Sequence, residues 1–195
     1  MQLIFATNNA HKVSEINHIL GNRYRVISLK EAGIIQEIPE PHDSLEENAR
    51  EKSTTIYSLT GNNCFSEDTG LFVPALNMEP GVRSARYAGE QANAADNMQL
   101  LLLRLTGAGD RSAFFKTIIS LIINGEEFQF TGICPGHILE SPSGSNGFGY
   151  DPVFVPDGGS TCFGQMNQAE KSAFSHRKKA VEALVQFLNQ HVPDY

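Results

Sequence analysis

The first thirty residues constrain the fold most, because a short apolar run is followed by a helical pattern and then by a second strand-like run. The apolar run is residues 3–6, and residues 24–29 alternate between polar and apolar side chains. Between them, Val13, Ile16 and Ile19 recur at the spacing of one helix face. A strand, a helix and a strand in this order are typical of a βαβ unit. The sequence therefore predicts an α/β fold with a partly parallel sheet.

Capping and turn signals predict the elements that follow. Ser44 and Glu47 show the pattern of a capping box, which begins a helix that Gly61 ends. Asn124 and Gly125 lie between two long apolar runs, and this dipeptide indicates a β-hairpin with a type I′ turn. Further predictions are a stop for the first helix at Gly21, a strand at 64–71, an irregular loop at 74–92, a helix from Asn93 or Asp96, a glycine-rich loop at 144–154 and a last helix over 175–190.

Length and charge exclude several classes of protein. The 195 residues fit a single domain, residues 1–195, which can bury a substantial core. The net charge of −7 argues against non-specific binding of nucleic acid, which requires a broad basic surface. It does not exclude a phosphate ligand if cations are concentrated locally or a metal is present.

Targeting signals and cysteines bear on location. The chain has no run of about 18 apolar residues, so we expect no membrane span. Its first residues lack the pattern of a secretory signal. Cys64, Cys134 and Cys162 are odd in number and widely spaced, so they form neither a disulfide framework nor a CxxC metal pattern. We therefore expect a cytoplasmic protein.

The polar run after the first strand has the chemistry of an anion site. Thr7, Asn8 and Asn9 bring side-chain donors to a predicted helix N-terminus, where backbone N–H groups and the helix dipole favour anions. Lys12 adds a full positive charge. The segment would suit phosphates, although the pattern GxxxxGK[ST] of a P-loop is missing. The alternative is an asparagine-rich turn beside a solvated lysine.

Two acidic segments contain candidate metal ligands. Glu67 and Asp68 lie near a predicted strand end, the edge where α/β sheets bind ligands. Neighbouring side chains on a strand point to opposite faces, so one carboxylate would face the site. Glu37 and Glu40 add oxygen ligands of the kind that Mg²⁺ prefers. The alternatives are an Asx-type turn at Asp68 and solvated loop acids.

The motif GFGYD at 147–151 would suit a flat ligand. Gly147 and Gly149 allow a close approach of the backbone, Phe148 or Tyr150 offers a stacking face, and Asp151 offers an acceptor. The alternative is an aromatic side chain that belongs to the core.

The motif EKSAFSHR precedes the last helix. Ser175 is its expected cap, and His176 and Arg177 then lie in the first turn, where cations oppose the helix dipole. Cations at this place, with Lys171 upstream, indicate an anionic or acceptor-rich ligand. The alternative is a solvated basic helix start.

The order of these motifs resembles the inosine triphosphate pyrophosphatase family, which acts on non-canonical purine nucleotides. The resemblance extends from Leu3 to about Leu188, and its motifs are TNNAHK, ENAREK, EDTGL, PGVRSARYAG, GFGYDPVF and EKSAFSHR. It implies an elongated, mixed and twisted sheet flanked by helices in two lobes, with the nucleotide in the cleft between them. It also implies a homodimer, and Mg²⁺-dependent hydrolysis of ITP, dITP and XTP to the monophosphate and pyrophosphate.

The resemblance also implies roles for individual residues. Asp68 would be the catalytic proton acceptor, and Glu40 and Asp68 would bind Mg²⁺. The substrate-binding residues that it implies are Thr7, Asn8, Asn9, Ala10, His11, Lys12, Lys52, Thr69, Phe148, Gly149, Tyr150, Asp151, Lys171, His176 and Arg177.

This chain departs from the family pattern at a few positions. It has Glu67 and Thr69 where many bacterial relatives have Asp and Ser, Tyr150 where some have Trp, and Ser172 where Asn is frequent. These changes keep the type of chemistry and would at most tune the preference for a base.

The hypothesis for the mechanism is attack of water on the α-phosphorus, with positioning and charge neutralisation as the main catalytic terms. Whether Asp68 or Glu67 takes the proton is left open, because a metal-bound carboxylate is a weaker base. Donors from His176, Arg177 or loop N–H groups would bind O6 of the purine and reject the amine of ATP.

The alternatives to this function are a non-catalytic nucleotide sensor, a related pyrophosphatase for other modified nucleotides, and a structural or interaction protein.

Overall fold

A computed structural model describes residues 1–20, 24–36, 38–91 and 93–191. These residues form five α-helices and seven strands, with single 3₁₀ turns between some of them. The helices are α1 (Ala10–Leu20), α2 (Leu45–Thr60), α3 (Ala94–Arg104), α4 (Gln168–Ser172) and α5 (His176–His191). The strands are β1 (Gln2–Phe5), β2 (Arg25–Ser28), β3 (Cys64–Phe72), β4 (Pro80–Gly81), β5 (Ser112–Ile123), β6 (Glu126–Ile138) and β7 (Phe154–Pro156).

The strands form one mixed sheet. Their order is β2-β1-β3-β5-β6-β7, and β4 lies beside β3. β1 runs parallel to both β2 and β3, whereas β3 with β4 and β6 with β7 are antiparallel pairs. The prediction of an α/β fold with a partly parallel sheet is therefore confirmed.

The chain divides into two compact units. Unit 1 comprises Met1–Asp68, Thr117–Gly132 and the chain from Arg177 onward, and unit 2 comprises Thr69–Lys116 and Ile133–His176. The strands β3, β5 and β6 contribute residues to both units. The assignment of residues 1–195 to a single domain stays a prediction, and so does the nucleotide cleft.

The core of unit 1 is aliphatic and is built from the amphipathic faces of its helices. Ile16 of α1 and Leu184 of α5 are fully buried with Leu3 and Phe5 of β1. The Phe5 and Phe65 rings stack with their centroids 4.5 Å apart, which joins the neighbouring strands β1 and β3. Glu67 and Asp68 were expected near a strand end, and this prediction is wrong, because β3 continues through them to Phe72. The part of β3 that belongs to unit 1 and carries both acids rests on a packed core.

The core of unit 2 is richer in aromatic side chains. Phe115, Phe154 and Phe163 are buried with Leu101 of α3. The Phe115 ring meets the Phe154 ring edge to face at 4.7 Å between centroids. This cluster supports the segment that contains residues 147–151, because Tyr150 is one of its members.

Most predicted elements are confirmed, and two segments differ. Ser44 caps α2, since its Oγ accepts the N–H of Glu47 at 3.2 Å, and Asn124 and Gly125 have the positive φ angles, 52° and 88°, of a type I′ turn. Residues 74–92, expected to be irregular, contain β4 and two 3₁₀ turns. The short helix α4 was not predicted, because its five residues are too few to show a periodicity. The predicted helix stop at Gly21 lies outside the described residues.

None of the helices in the described ranges has the length and apolar character needed to cross a membrane.

Leu184, one of the two fully buried leucines of α5, provides a test of the core of unit 1. We expect Leu184→Ala to lower the free energy of unfolding by about 2–5 kcal/mol, because the change removes buried methyl groups and leaves a cavity. The matched control Leu59→Ala changes a leucine of α2 that is 55% exposed, and should cost less than about 0.5 kcal/mol. Urea unfolding measures both. Equal losses would show that the assigned core is wrong.

Candidate active site

The turn between β1 and α1 fixes the polar run that the sequence singled out. The Thr7 hydroxyl accepts the N–H of Asn9 at 3.1 Å, and the Asn9 side-chain oxygen accepts the N–H of Lys12 at 3.2 Å. Asn9 therefore caps α1, which begins at Ala10, three residues before the helical pattern becomes visible in the sequence. The first turn of α1 contains no acidic residue, so its N-terminus keeps the positive potential of the helix dipole.

A cavity of about 330 Å³ opens beside this turn in unit 1. It is polar, and two of the three lysines predicted to bind the substrate, Lys12 and Lys52, line it, whereas the third, Lys171, belongs to unit 2. The predicted site residues on its wall are Thr7, Asn8, Asn9, Lys12, Glu40 and Lys52, and Glu67 lies there too. The structure thus brings together residues from four separate segments of the sequence.

Lys52 is the cation that connects the acidic segments. Its ammonium lies 2.6 Å from a carboxylate oxygen of Glu40 and 3.5 Å from one of Asp68, and it donates to the carbonyl of Glu67 at 2.7 Å. The Lys52 side chain is only 7% exposed, so these contacts replace most of its hydration. Two carboxylates from distant segments therefore approach one buried positive charge.

Glu67 and Asp68 contact different cations. The Glu67 carboxylate accepts two hydrogen bonds from the guanidinium of Arg177, each 2.8 Å long, and lies 3.5 Å from the ammonium of Lys12. Arg177 and Glu67 are both buried. The sequence suggested that cations at the start of α5 indicate an external anion, and for Arg177 the structure provides an internal one. The predicted contact of Arg177 with a substrate stays a prediction.

In unit 2, Asp151 organises the glycine-rich loop. One of its oxygens accepts the backbone N–H of Phe148 and the ammonium of Lys171, both at 2.8 Å. A side chain at Gly147 would collide with this carboxylate, because a Cβ there would lie 2.0 Å from the Asp151 oxygen. Gly147 also has a φ of +76°, which favours glycine. The glycine of this motif is thus needed for the loop to close around Asp151.

The two aromatic residues of the loop have different surroundings. The Phe148 ring is partly exposed, and the Lys171 ammonium lies 5.0 Å from its centroid. Tyr150 is buried, its hydroxyl donates to the carbonyl of Ser84 at 2.8 Å, and burial raises its pKa. Of the two stacking faces that the sequence offered, Phe148 is accessible to a ligand and Tyr150 belongs to the core.

The remaining predicted residues are placed as follows. The His176 ring stacks on the Phe115 ring at 4.7 Å in unit 2, and Thr69 and Gly149 are partly buried there. The side chains of Ala10 and His11, and all of Glu37, lie outside the described part of the structure.

Sequence reasoning missed two features of the structure around the site. The ion pair of Glu67 with Arg177 joins residues 110 positions apart, and no local pattern predicts it. Asn48 lies one helical turn before Lys52 and is buried. The spacing of four residues on α2 was the signal that could have placed both side chains on one face.

Comparison with known proteins identifies the family of this chain. A model of the Ham1 family matches residues 3–187. The chain is 45% identical over 188 residues to a protein of Flavobacterium johnsoniae named dITP/XTP pyrophosphatase. The aligned region covers 96% of this chain and 98% of that protein. A protein of the same name from Porphyromonas gingivalis is also 45% identical, over 96% of this chain and 97% of its own length.

Among solved structures, the Ham1 protein of Staphylococcus aureus is similar to this chain. The TM-score is 0.89 at 35% identity, and the match covers 97% of this chain and 99% of the other.

The buried ion pair of Glu67 with Arg177 yields a stability test. We expect Glu67→Gln to lower the free energy of unfolding by about 3–5 kcal/mol, because it leaves a guanidinium buried without its counter-charge. The control is Glu79→Gln, since Glu79 and Arg104 form an ion pair of the same length, 2.8 Å, at an exposed position. That change should cost less than about 1 kcal/mol in chemical denaturation. A loss at Glu67 no larger than that at Glu79 would contradict the assigned burial.

Proposed function

Because the chain belongs to the Ham1 family, we propose that it hydrolyses dITP, ITP and XTP to the nucleoside monophosphate and pyrophosphate, and so removes non-canonical purines from the nucleotide pool. It is a hydrolase that acts on phosphoric anhydrides, and the resemblance found in the sequence is confirmed at the level of the family. The observation that carries the proposal is Lys52, which lines the cavity beside α1 together with Glu40, and whose buried ammonium contacts both Glu40 and Asp68.

The triphosphate would bind in the cavity of unit 1. Lys12 and Lys52 bring two positive charges to its wall, and the α1 N-terminus adds the potential of the helix dipole. Thr7, Asn8 and Asn9 line the same wall with hydroxyl and amide groups. This local concentration of donors and cations allows a chain of net charge −7 to bind a polyanion.

Mg²⁺ fits the two carboxylates that meet at Lys52, of which Glu40 lies on the cavity wall. Glu40 and Asp68 already approach one cation, the Lys52 ammonium, at 2.6 and 3.5 Å. In the described residues no group of three or more His, Cys, Asp or Glu side chains is arranged to hold a metal. That agrees with Mg²⁺, which is commonly held by one or two carboxylates together with substrate phosphates. When bound, the ion would neutralise phosphate charge and polarise the reacting phosphoryl group.

The structure favours Asp68 over Glu67 for the reacting water. Both oxygens of Glu67 accept hydrogen bonds from Arg177, which leaves this carboxylate engaged in positioning. We assign to Asp68 the orientation of the attacking water and the acceptance of its proton, and to Glu67 the placement of Lys12. In-line attack at the α-phosphorus would then release pyrophosphate, and most of the rate enhancement would come from positioning and charge neutralisation.

The base would be read by unit 2. Phe148 offers a partly exposed ring, and Asp151 and Lys171 fix the loop that presents it. Donors from this loop or from His176 would bind O6 of hypoxanthine or xanthine, whereas the amine of ATP would leave them unsatisfied. Two such losses correspond to roughly a hundredfold preference or more.

A non-catalytic nucleotide sensor is the second candidate. It is disfavoured because Glu40 and Asp68 place two negative charges beside the proposed phosphate site, which weakens binding unless a metal and a reaction make use of them. The homodimer and the cytoplasmic location stay predictions.

The proposed reaction is tested by product analysis with Mg²⁺ on dITP, XTP, ITP, GTP, ATP and dTTP. We expect monophosphate and pyrophosphate from the first three, and a rate with ATP lower by about a hundredfold. Asp68→Asn should lower kcat by about a hundredfold or more, because it removes the proton acceptor and leaves the shape of the side chain unchanged.

Asp157→Asn is the matched control, since Asp157 is an exposed aspartate of unit 2, and it should leave the rate unchanged. Tight binding of dITP without turnover would establish the sensor. Release of inorganic phosphate as the first product would move the attack away from the α-phosphorus and refute the mechanism.

A further inference from the structure

We propose that Asn48 is a positioning residue that holds the loop of Glu40 against α2 and thereby sets the place of the Glu40 carboxylate in the site. The inference rests on the proposed function, since it assigns Asn48 a role in the reaction only if Glu40 takes part in it. Asn48 itself does not line the cavity of unit 1. Its side chain forms hydrogen bonds with His42 instead of with a ligand-binding residue.

Asn48 makes a reciprocal pair of hydrogen bonds with the backbone of one loop residue. Its side-chain oxygen accepts the N–H of His42 at 2.9 Å, and its side-chain nitrogen donates to the carbonyl of His42 at 3.1 Å. Asn48 is 2% exposed. Because Asn48 both accepts from and donates to the backbone of His42, the two bonds fix the position of the loop and its orientation relative to α2.

The sequence between Glu40 and His42 transmits that constraint. Pro39 and Pro41 enclose Glu40, so φ is fixed on both sides of it and Glu40 is itself restricted to extended conformations. Neither proline has an N–H group with which to anchor the segment. The backbone around Glu40 is therefore stiff, and the point where it is attached, at His42, decides where the carboxylate lies.

The helix α2 carries both the residue that holds the loop, Asn48, and the residue that pairs with the Glu40 carboxylate, Lys52. Asn48 and Lys52 are four residues apart and so lie on one face of α2. Lys52 binds Glu40 at 2.6 Å, but the same ammonium also contacts Asp68 and is a predicted phosphate ligand. The bonds of Asn48 involve no charge, and they persist whichever cation Glu40 meets during the reaction.

Two other interactions at this end of α2 do not replace Asn48. Capping of the helix is supplied by Ser44, whose hydroxyl accepts the N–H of Glu47. The His42 ring lies 3.8 Å from the carboxylate of Glu51, but both side chains are well exposed, and such pairs contribute little. The buried amide of Asn48 is therefore the main neutral attachment of the loop among these contacts.

Asn97 supplies a matched control. It is 3% exposed, and on α3 in unit 2 it also accepts one backbone bond and donates another, although to two residues instead of one: the N–H of Ala88 at 2.7 Å and the carbonyl of Ala85 at 2.8 Å. Asn48→Asp and Asn97→Asp each keep the acceptor and replace the donor by an oxygen that faces a carbonyl. Comparable losses of stability are expected from both changes.

The experiment combines hydrogen exchange with a double-mutant cycle. In Asn48→Asp we expect amide exchange in the peptide that covers residues 38–43 to become about tenfold faster, whereas Asn97→Asp should leave that peptide unchanged. With dITP and Mg²⁺, Asn48→Asp should lower kcat about tenfold in the wild-type background and less than twofold in the Glu40→Gln background, because its effect acts through Glu40.

A second variant, His42→Ala, keeps the backbone groups that Asn48 binds and should change neither exchange nor kcat. The proposal is overturned if kcat falls equally in both backgrounds, if exchange at 38–43 does not respond to Asn48→Asp, or if His42→Ala has the larger effect. A wild-type chain that hydrolyses none of the nucleotides would instead refute the proposed function, and the exchange data would still report whether Asn48 holds the loop.

Discussion

A buried ammonium must be neutralised, and the acidic side of unit 1 is arranged around this requirement at Lys52. Glu40, Asp68 and the carbonyl of Glu67 all lie within 3.5 Å of its nitrogen. An unmatched charge at this depth would cost several kcal/mol, so α2, the part of β3 that carries Glu67 and Asp68, and the loop of Glu40 are held to one arrangement. The chemistry proposed for the site builds on that arrangement, because the proposed Mg²⁺ would take its protein ligands from the same two carboxylates.

The second buried pair, Glu67 with Arg177, separates the roles of two adjacent acids. Alternation along β3 sends the two side chains to different partners, and Glu67 receives both Arg177 and Lys12. Asp68 instead contacts Lys52, whose ammonium it shares with Glu40. A single strand thus supplies one carboxylate for structure and one for the proposed reaction, which sequence reasoning had left as alternatives.

Local patterns in the sequence predicted much of the fold and the kinds of residue at the site. The helical spacing after β1, the capping box at Ser44 and the Asn124-Gly125 turn are short-range signals, and the structure confirms them. The ion pair of Glu67 and Arg177 depends on packing between residues 110 positions apart, which no local signal encodes. The two hydrogen bonds between Asn48 and His42 were missed for a different reason. The four-residue spacing could place Asn48 on the face of Lys52, but it does not indicate which loop the asparagine binds.

The most direct test of the account is the fate of oxygen from water. Hydrolysis of dITP in H₂¹⁸O with Mg²⁺, followed by mass spectrometry of both products, reports which phosphorus is attacked. The account predicts the label in the monophosphate, because the water oriented by Asp68 attacks the α-phosphorus. Label in pyrophosphate instead would place the attack at the β-phosphorus and contradict the roles proposed for Asp68, Glu40 and Lys52.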